Sequence, residues 1–568
     1  MDRRESLKLL ALAAVAQVRL PRALGAQEPL FASRWQEWPD VRWAGPEYWA
    51  NRLQDWAIEG GVLVCRTQAA NRTLHCLTHR CDTPGFRTTV DLDPVHLAEV
   101  GGPQSRAGFR VGVTGRFDEY RSAAVHGTGL DVGVDGDGAL FLGEEKSDER
   151  IDLSEPLRLT LGAMEERGGL RLTLLAASLE GGAELGRITR DVPEAEVLVG
   201  GLALLSDFSN DPTLATETPN AAVFSGWTID GDGIAVDSAR AFGPIMFAQY
   251  TAHRSTLKLT AQLAPVDDVV GLRATLEIRD GRGPWVEAAT APIDALSRTA
   301  RFRVDGWDAS RPVAYRVRLL APPSVRWGDF DYVGTIAAEP STAQPLKAAV
   351  FSCNADHGFP DGEVVRNVSV HDPDLCLFLG DQFYEGSGGF GVQTDSIEEA
   401  ALDMLHKWYM FGWSYRELFR HVPAAFIPDD HDVYHGNVWG EGGKAAPTHD
   451  GWGAVAQDQG GYKMPAEWVR AVERAQTSHL PDPVDPAPVK QGIGVYFTKW
   501  DYAGVSFAIL EDRKFKSAPA NVLPPEAQVL NGWIQNPDFD VREHRDLPNA
   551  ELLGDRQMRF LESWAADW

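Results

Sequence analysis

Between about residues 28 and 235, apolar and polar positions alternate with period two in many short runs, each cut off by Gly or Asp turns, and almost no stretch carries a helical period. Alternation of this kind puts one face of each strand in a core and the other in water, so many even strands predict a two-sheet sandwich. The plainest hairpin pairs Leu157-Arg-Leu-Thr-Leu with Leu170-Arg-Leu-Thr-Leu across Glu165-Glu-Arg-Gly-Gly. Residues 240–338 repeat the pattern over about a hundred residues, in runs such as Leu257-Lys-Leu-Thr-Ala-Gln-Leu, Leu272-Arg-Ala-Thr-Leu-Glu-Ile and Val313-Ala-Tyr-Arg-Val-Arg-Leu. They predict a second, smaller sandwich, and Pro340 to Pro345 reads as a linker after it.

Beyond the linker the period changes. Ala348 to Phe351 is a buried strand, Glu363 to Val370 fits a short helix, and Leu375 to Leu379 is an apolar run bounded by glycine. Ile397 to Arg420 then has helical spacing at Leu402, Leu405, Tyr409 and Trp413, and Ala424 to Ile427 is a third strand. This β-α-β-α-β order predicts a parallel sheet with right-handed crossovers. Tyr496 to Trp500 and Val505 to Leu510 alternate around Asp501 to Gly504 and predict a hairpin joined to that sheet.

Each of the three parallel strands ends in potential ligands: Ser352-Cys353-Asn354, then Gly380-Asp381 with Tyr384, then Asp429-Asp430-His431-Asp432. Carboxyl ends of neighbouring parallel strands share one edge, so the three clusters are expected to converge. Several acids around one histidine repel one another in a cleft, and a di- or trivalent cation is the simplest compensation. Thiolate and phenolate together suit iron as Fe3+, while the remaining carboxylate oxygens suit calcium, magnesium or manganese, so two unlike sites are implied. Such a pair suits phosphoryl transfer to water.

Composition narrows the classes. The 568 residues are 44% hydrophobic and 10% aromatic, a globular makeup, and the formal net charge of -27 argues against a nucleic-acid-binding surface. Residues 1–26 run from Arg3-Arg4 through the apolar stretch Leu9 to Val18 to small residues at Ala23 to Ala26, the order of a secretory leader. The paired arginines followed by Leu7-Lys8 resemble a twin-arginine signal, which places the mature chain in the periplasm or outside the cell. No other apolar run reaches spanning length, so no transmembrane anchor is expected. Cys76 and Cys81 read as a disulfide formed after export, or with His75 and His79 as a zinc cluster, although strand alternation opposes the second reading. Asp131 to Gly138 reads as a turn or a calcium loop, and Trp35, Trp38, Trp43, Trp49 and Trp56 as core packing or as a platform for carbohydrate.

Taken in order, Ser352-Cys353-Asn354, Gly380-Asp381-Gln382-Phe383-Tyr384-Glu385, Asp429-Asp430-His431-Asp432 and Leu510-Glu511-Asp512-Arg513 resemble the successive signatures of PhoD-type alkaline phosphatases, a branch of the calcineurin-like metallophosphatases. The resemblance covers about residues 345–568 and implies an exported enzyme that hydrolyses phosphomonoesters and phosphodiesters with iron and calcium. It implies that Cys353 and Tyr384 ligate iron, Asp381 bridges the metals, Asp430 serves the calcium side and His431 contacts the phosphoryl oxygen. Asp429, Asn437 and Arg513 stand as candidates for holding substrate or bracing the ligands. Gly-Asp-x-x-Tyr alone is shared with purple acid phosphatases, which are the runner-up; a non-catalytic carbohydrate- or surface-binding protein with a degenerate phosphatase domain is the rival from another class. The family closes its iron site with a late Gly-Asp-x-His type motif, and none follows Arg513. The expectation is therefore a 1–26 leader, a concanavalin-like sandwich over 28–235, an immunoglobulin- or fibronectin-like sandwich over 240–338, and an α/β metallophosphatase domain over 345–568. That last domain is expected to be incomplete at its C-terminus, with His449, His479 or His544 as the stand-in ligand if the chain is active.

Overall fold

The computed structural model describes residues 28–94, 97, 102, 104–166, 169–192, 198–208, 221–267, 269–322, 326–449 and 451–567. The leader expected over 1–26 lies outside the described residues, and among those described no helix is long and apolar enough to cross a membrane. The chain divides into two compact units. The first comprises Met1–Pro244, Asp268–Val270 and Ala321–Gly328, and the second Ile245–Asp267, Gly271–Leu320 and Asp329–Trp568.

The first unit is built on two antiparallel eight-stranded sheets. Strands Leu157–Glu166 and Gly169–Ser178 pair so that Leu161 faces Leu174, and the leucines at every second position are fully buried while the threonines and arginines between them reach solvent. Of the two readings of the five early tryptophans, core packing and a sugar platform, the structure shows core: all are at most 7% exposed, and Trp35 donates its indole N–H to the Ala44 carbonyl at 3.1 Å. The Cys76–Cys81 bridge is also corrected, since both thiols are free. They lie five residues apart along one extended strand, Arg72–Cys81, and so sit too far apart to bond. In the Asp131–Gly138 turn, Arg110 takes Asp131 at 2.6 Å and Lys146 takes Asp135 at 2.6 Å, which gives these acids partners other than calcium.

The second unit opens with three- and four-stranded antiparallel sheets between Ile245 and Ile336. Strands β1 (Ala348–Phe351), β2 (Leu375–Phe378) and β3 (Ala424–Phe426) then run parallel, separated by helices α1 (Gly362–Val370) and α2 (Ile397–Phe419). Ser396 caps α2 by accepting the Glu399 amide, and Glu398 and Glu399 sit at its positive end. This helix is buried on nearly all sides. Cα of Gly412 lies so close to the Phe247 ring that a Cβ there would come within 1.9 Å, Trp408 donates to Gln262 Oε1 at 3.0 Å, and Tyr409 to the Leu263 carbonyl at 2.6 Å. On one face of the parallel sheet Phe378 meets Phe411 and Tyr415 of α2. On the other, Leu375 packs with Trp500, Tyr502 and Ile509 of the hairpin Thr498–Tyr502/Val505–Ile509.

The fold class expected from the sequence, two sandwiches followed by an α/β metallophosphatase domain, is corrected by this arrangement. The chain is mostly β, 37% strand against 20% helix, and no clear α/β domain stands among the described residues. A parallel α/β layer needs helices over both faces of its sheet. Here one face is covered by an antiparallel hairpin, the helix on the other face is itself backed by the strand Ile245–His253, and the outer strand is open: Val350 is 57% exposed and α1 buries no residue. Alternation and apolar spacing are the same for three strands as for a full sheet, so the sequence pattern did not carry the sheet's extent.

Candidate metal centre

The parallel register pairs Phe351 with Phe378 and Phe378 with Phe426, and the three rings stack with centroids 4.6 Å apart at each step. This aromatic ladder holds the carboxyl ends of the strands level. The Cys353 amide donates to the Gly380 carbonyl at 3.1 Å and the Asn354 amide to the Asp381 carbonyl at 2.7 Å, tying the first loop to the second. Cys353 and Asp381 both take the left-handed conformation, φ 57° and 51°, which non-glycine residues adopt at a cost that the surrounding bonds must hold. Gly380, at φ 99°, is required by space as well, since a Cβ there would lie 2.4 Å from Asp429 Cβ.

The second and third loops are joined by Asp432, a residue for which the sequence suggested no role of its own. Its fully buried carboxylate accepts the amides of Asp381 at 2.8 Å, Gln382 at 3.1 Å and Asp429 at 2.8 Å, and the Gln476 side-chain N–H at 3.0 Å. Burial pushes its carboxyl up to about 8, opposed by the hydrogen bonds from Asp429 and Gln476.

Held this way, Asp381, Asp430 and His431 each offer a ligand atom, and these atoms lie within 4.8 Å of one another. Tyr384 stands beside them. Its ring is 4.3 Å from that of His431, its hydroxyl is hydrogen-bonded to Asp381 and Cys353, and burial, then the Asp381 charge, raise its pKa above the ordinary phenol value. His431 Nδ1 lies 2.8 Å from Glu385 Oε2, another residue missed from the sequence. Burial draws the imidazole pKa down, but the Glu385 bond and the charges of Glu385, Asp381 and Asp430 outweigh it, so the net shift is upward. Arg513 grips Asp429 at 2.5 and 3.1 Å and stands 3.8 Å from Asp430. Burial raises both carboxyls despite this guanidinium.

The structure thus brings together Cys353, Asp381, Tyr384, Asp430 and His431, with Asp429 and Arg513 at one side. Asn437 is not brought in: its amide donates to the Asn531 carbonyl at 3.4 Å. Nor is any of the three late histidines. His479 is buried and gives its Nε2 to the Ala424 carbonyl at 2.7 Å, His544 stacks on Phe539, and His449 is exposed. The donor set fits a cation. Four aspartates and Glu385 meet one guanidinium and one imidazole, and buried carboxylates this close are stabilised by a positive charge placed among them.

No protein-family model and no curated protein matches the chain. Among solved structures, a purple acid phosphatase from yellow lupin (Lupinus luteus) aligns over 76% of this chain and 62% of its own, at 11% identity and TM-score 0.30. The carbohydrate recognition domain of Emp47p aligns over 36% of this chain and 99% of its own, at 12% identity and TM-score 0.24. Lectin II from Ulex europaeus does so over 36% and 99%, at 10% and 0.25. These are distant likenesses, one to a metallophosphatase and two to lectins, and none is specific to PhoD-type enzymes.

Proposed function

We propose that this chain is an exported metal-dependent phosphoesterase acting on phosphomonoesters, phosphodiesters or both. The observation that carries the reading is the Asp381–Asp430–His431 group, its donor atoms within 4.8 Å at the ends of two parallel strands, with the Tyr384 hydroxyl against both Asp381 and Cys353. The order of the four motifs supports a PhoD-like set of roles, with a purple-acid-phosphatase-like one second. Cys353, Tyr384 and Asp381 would hold iron, and Asp381 with Asp430 would hold calcium, manganese or magnesium. When bound, such ions supply Lewis acidity to a phosphoryl group and a more acidic water. The chain's own residues do the rest. Glu385 fixes the His431 ring so that Nε2 is the nitrogen left to face a ligand or a phosphoryl oxygen, and Arg513 offers a guanidinium fork at the rim, braced by Asp429. The order Arg3-Arg4, apolar stretch, small residues supports export by the twin-arginine route. Assaying p-nitrophenyl phosphate and its bis ester with iron and calcium supplied tests the reading. Turnover abolished by Asp381→Ala is expected, and failure of the loaded chain to hydrolyse either ester refutes it.

A second reading, saccharide binding by the first unit, has one observation in its favour. A cavity of about 310 Å³ lies beside the strand Arg72–Cys81, with the Phe117 ring 40% exposed and Tyr120 stacked under the Arg240 guanidinium at 4.6 Å. Glycan binding lost in Phe117→Ala would support it, and no glycan retained by the full chain would refute it.

A further inference from the structure

A larger cavity, of about 570 Å³, opens within the second unit on a different face of α3 (Ala466–Thr477) from the one that carries Gln476. Its volume lies in the range of small-molecule sites. Four cations line it. Arg470 and Arg474 stand one turn apart on α3, Lys258 comes from the strand Thr256–Leu263, and Arg301 from the neighbouring strand Thr299–Asp305.

Most of the charges on these walls have partners. Lys258 reaches Asp482 at 3.1 Å, Arg474 reaches Thr299 at 3.0 Å and Asp294 at 3.4 Å, Arg470 donates to the Gln491 carbonyl at 3.2 Å, and the acid Glu473 is taken by Lys514 at 2.8 Å. Glu467 is exposed at the rim. The Arg301 guanidinium makes no hydrogen bond or ion pair with a described residue. Two like charges at i and i+4 on a helix oppose folding, and a third guanidinium facing them adds to that cost. Burial and the nearby Arg301 hold Arg474 below the ordinary guanidinium value, and burial with Arg303 and Arg301 outweighs Asp482 and holds Lys258 below the ordinary ammonium value. In a chain of net charge -27, such crowding of positive charge around one cavity is relieved by an anion.

We infer that this cavity is a binding site for a small polyanion, one carrying two or more phosphoryl or carboxylate groups on a body no larger than a sugar. The guanidinium forks of Arg301, Arg470 and Arg474 match either group with paired N–H donors. Pro481 and Val495 supply an apolar wall for the body. The site is separate from the Asp381 centre, so it stands whether or not that centre hydrolyses anything.

Titration calorimetry of the full chain with pyrophosphate and with citrate tests this, in an Asp381→Ala background stripped of metal by chelator that is then removed by dialysis, so that the other centre takes neither. Saturable binding of at least one anion is expected, and the one that binds names the group recognised. Arg301→Gln should weaken it about fivefold, the effect of one partly exposed charge contact, and Arg301→Gln with Arg470→Gln should weaken it further. Both side chains are exposed and neither holds a carboxylate, so the variants should melt as the parent does. Absence of saturation by either anion up to about 5 mM, or equal affinity in the double variant, overturns the inference.

Discussion

Asp432→Asn changes one atom and leaves the residue's volume almost untouched, so its effect isolates what the carboxylate does. In the native chain Oδ2 accepts the amides of Asp381 and Asp429, and Oδ1 accepts the Gln382 amide and the Gln476 side chain. Asparagine keeps one accepting oxygen and turns an NH2 toward the other pair of donors. Two of the four bonds are lost whichever way the amide is rotated, and two buried N–H groups then face another donor. Above a pH of about 8, where the carboxyl is ionised, bonds to this charged acceptor contribute about 1.5–3 kcal/mol each, and an unsatisfied buried donor costs about 1–3 kcal/mol. Loss of the buried charge beside Asp381 returns part of this, since like charges in one site repel. The expected net cost is about 3 kcal/mol, concentrated where the loops at Asp381 and Asp429 join. That corresponds to about a hundredfold faster amide exchange at Asp381, Gln382 and Asp429. Native-state hydrogen exchange read by mass spectrometry measures it directly, with the amides of the sandwich strand Leu157–Glu166 as an internal control. Exchange in the variant within about threefold of the parent at all three amides would refute the view that Asp432 ties the two loops together.

Further outcomes are expected elsewhere in the molecule. Asp381→Ala should lower total metal content rather than remove one ion of two, as follows from the proposal that its carboxylate serves both positions; elemental analysis showing full loading would rule out that role. Tyr384→Phe should bleach any visible band of the iron-loaded chain, as expected if the phenolate ligates ferric iron; an unchanged absorption spectrum would exclude the tyrosine. Gly412→Ala should destabilise the second unit by about 2–3 kcal/mol through overpacking against Phe247, and an unshifted thermal melt would contradict the packing described. Burial holds His75, His435 and His479 near a pKa of about 3, below the unfolded value of about 6.5. The unfolded chain therefore binds more protons in this window, and the stability these groups contribute is full above pH 6.5 and falls as the pH is lowered toward 3. The slope is up to about 1.4 kcal/mol per pH unit for each histidine. His479→Gln, which keeps a donor for the Ala424 carbonyl, should flatten the acid limb of the stability profile, and an unchanged limb would refute the assignment.

The residues gathered at the candidate metal centre were partly legible beforehand. An apolar run stopped by Gly380-Asp381, and another stopped by a dense acidic cluster with one histidine, mark strand ends that carry chemistry, and the structure places Asp381, Asp430 and His431 within reach of one another. Glu385 was quoted within its motif without a role, although its spacing from Tyr384 gave no hint that it would meet a histidine 46 residues later. Asp432 looked like one more acid in a cluster of three. What sets it apart is that its oxygens point inward to amides of a different loop, a property of the assembled strands.

Local backbone geometry explains where the division falls. A strand turns its side chains with period two and a helix with period 3.6, so the alternation at Leu157 and Leu170 and the spacing through Ile397–Phe419 are written in the order of the residues themselves. The period reports that a face is buried and is silent on what buries it. That Trp38, Trp49 and Trp56 turn into a core instead of outward to a sugar was decided by Trp327, Phe242 and Phe224, residues distant in the chain. So was the covering of the three-stranded parallel sheet by a hairpin on one face and by α2, backed by Phe247, on the other, which left no clear α/β domain among the described residues. Such contacts form between segments more than a hundred residues apart, where the free energy lies in the fit of surfaces that only the folded chain brings together.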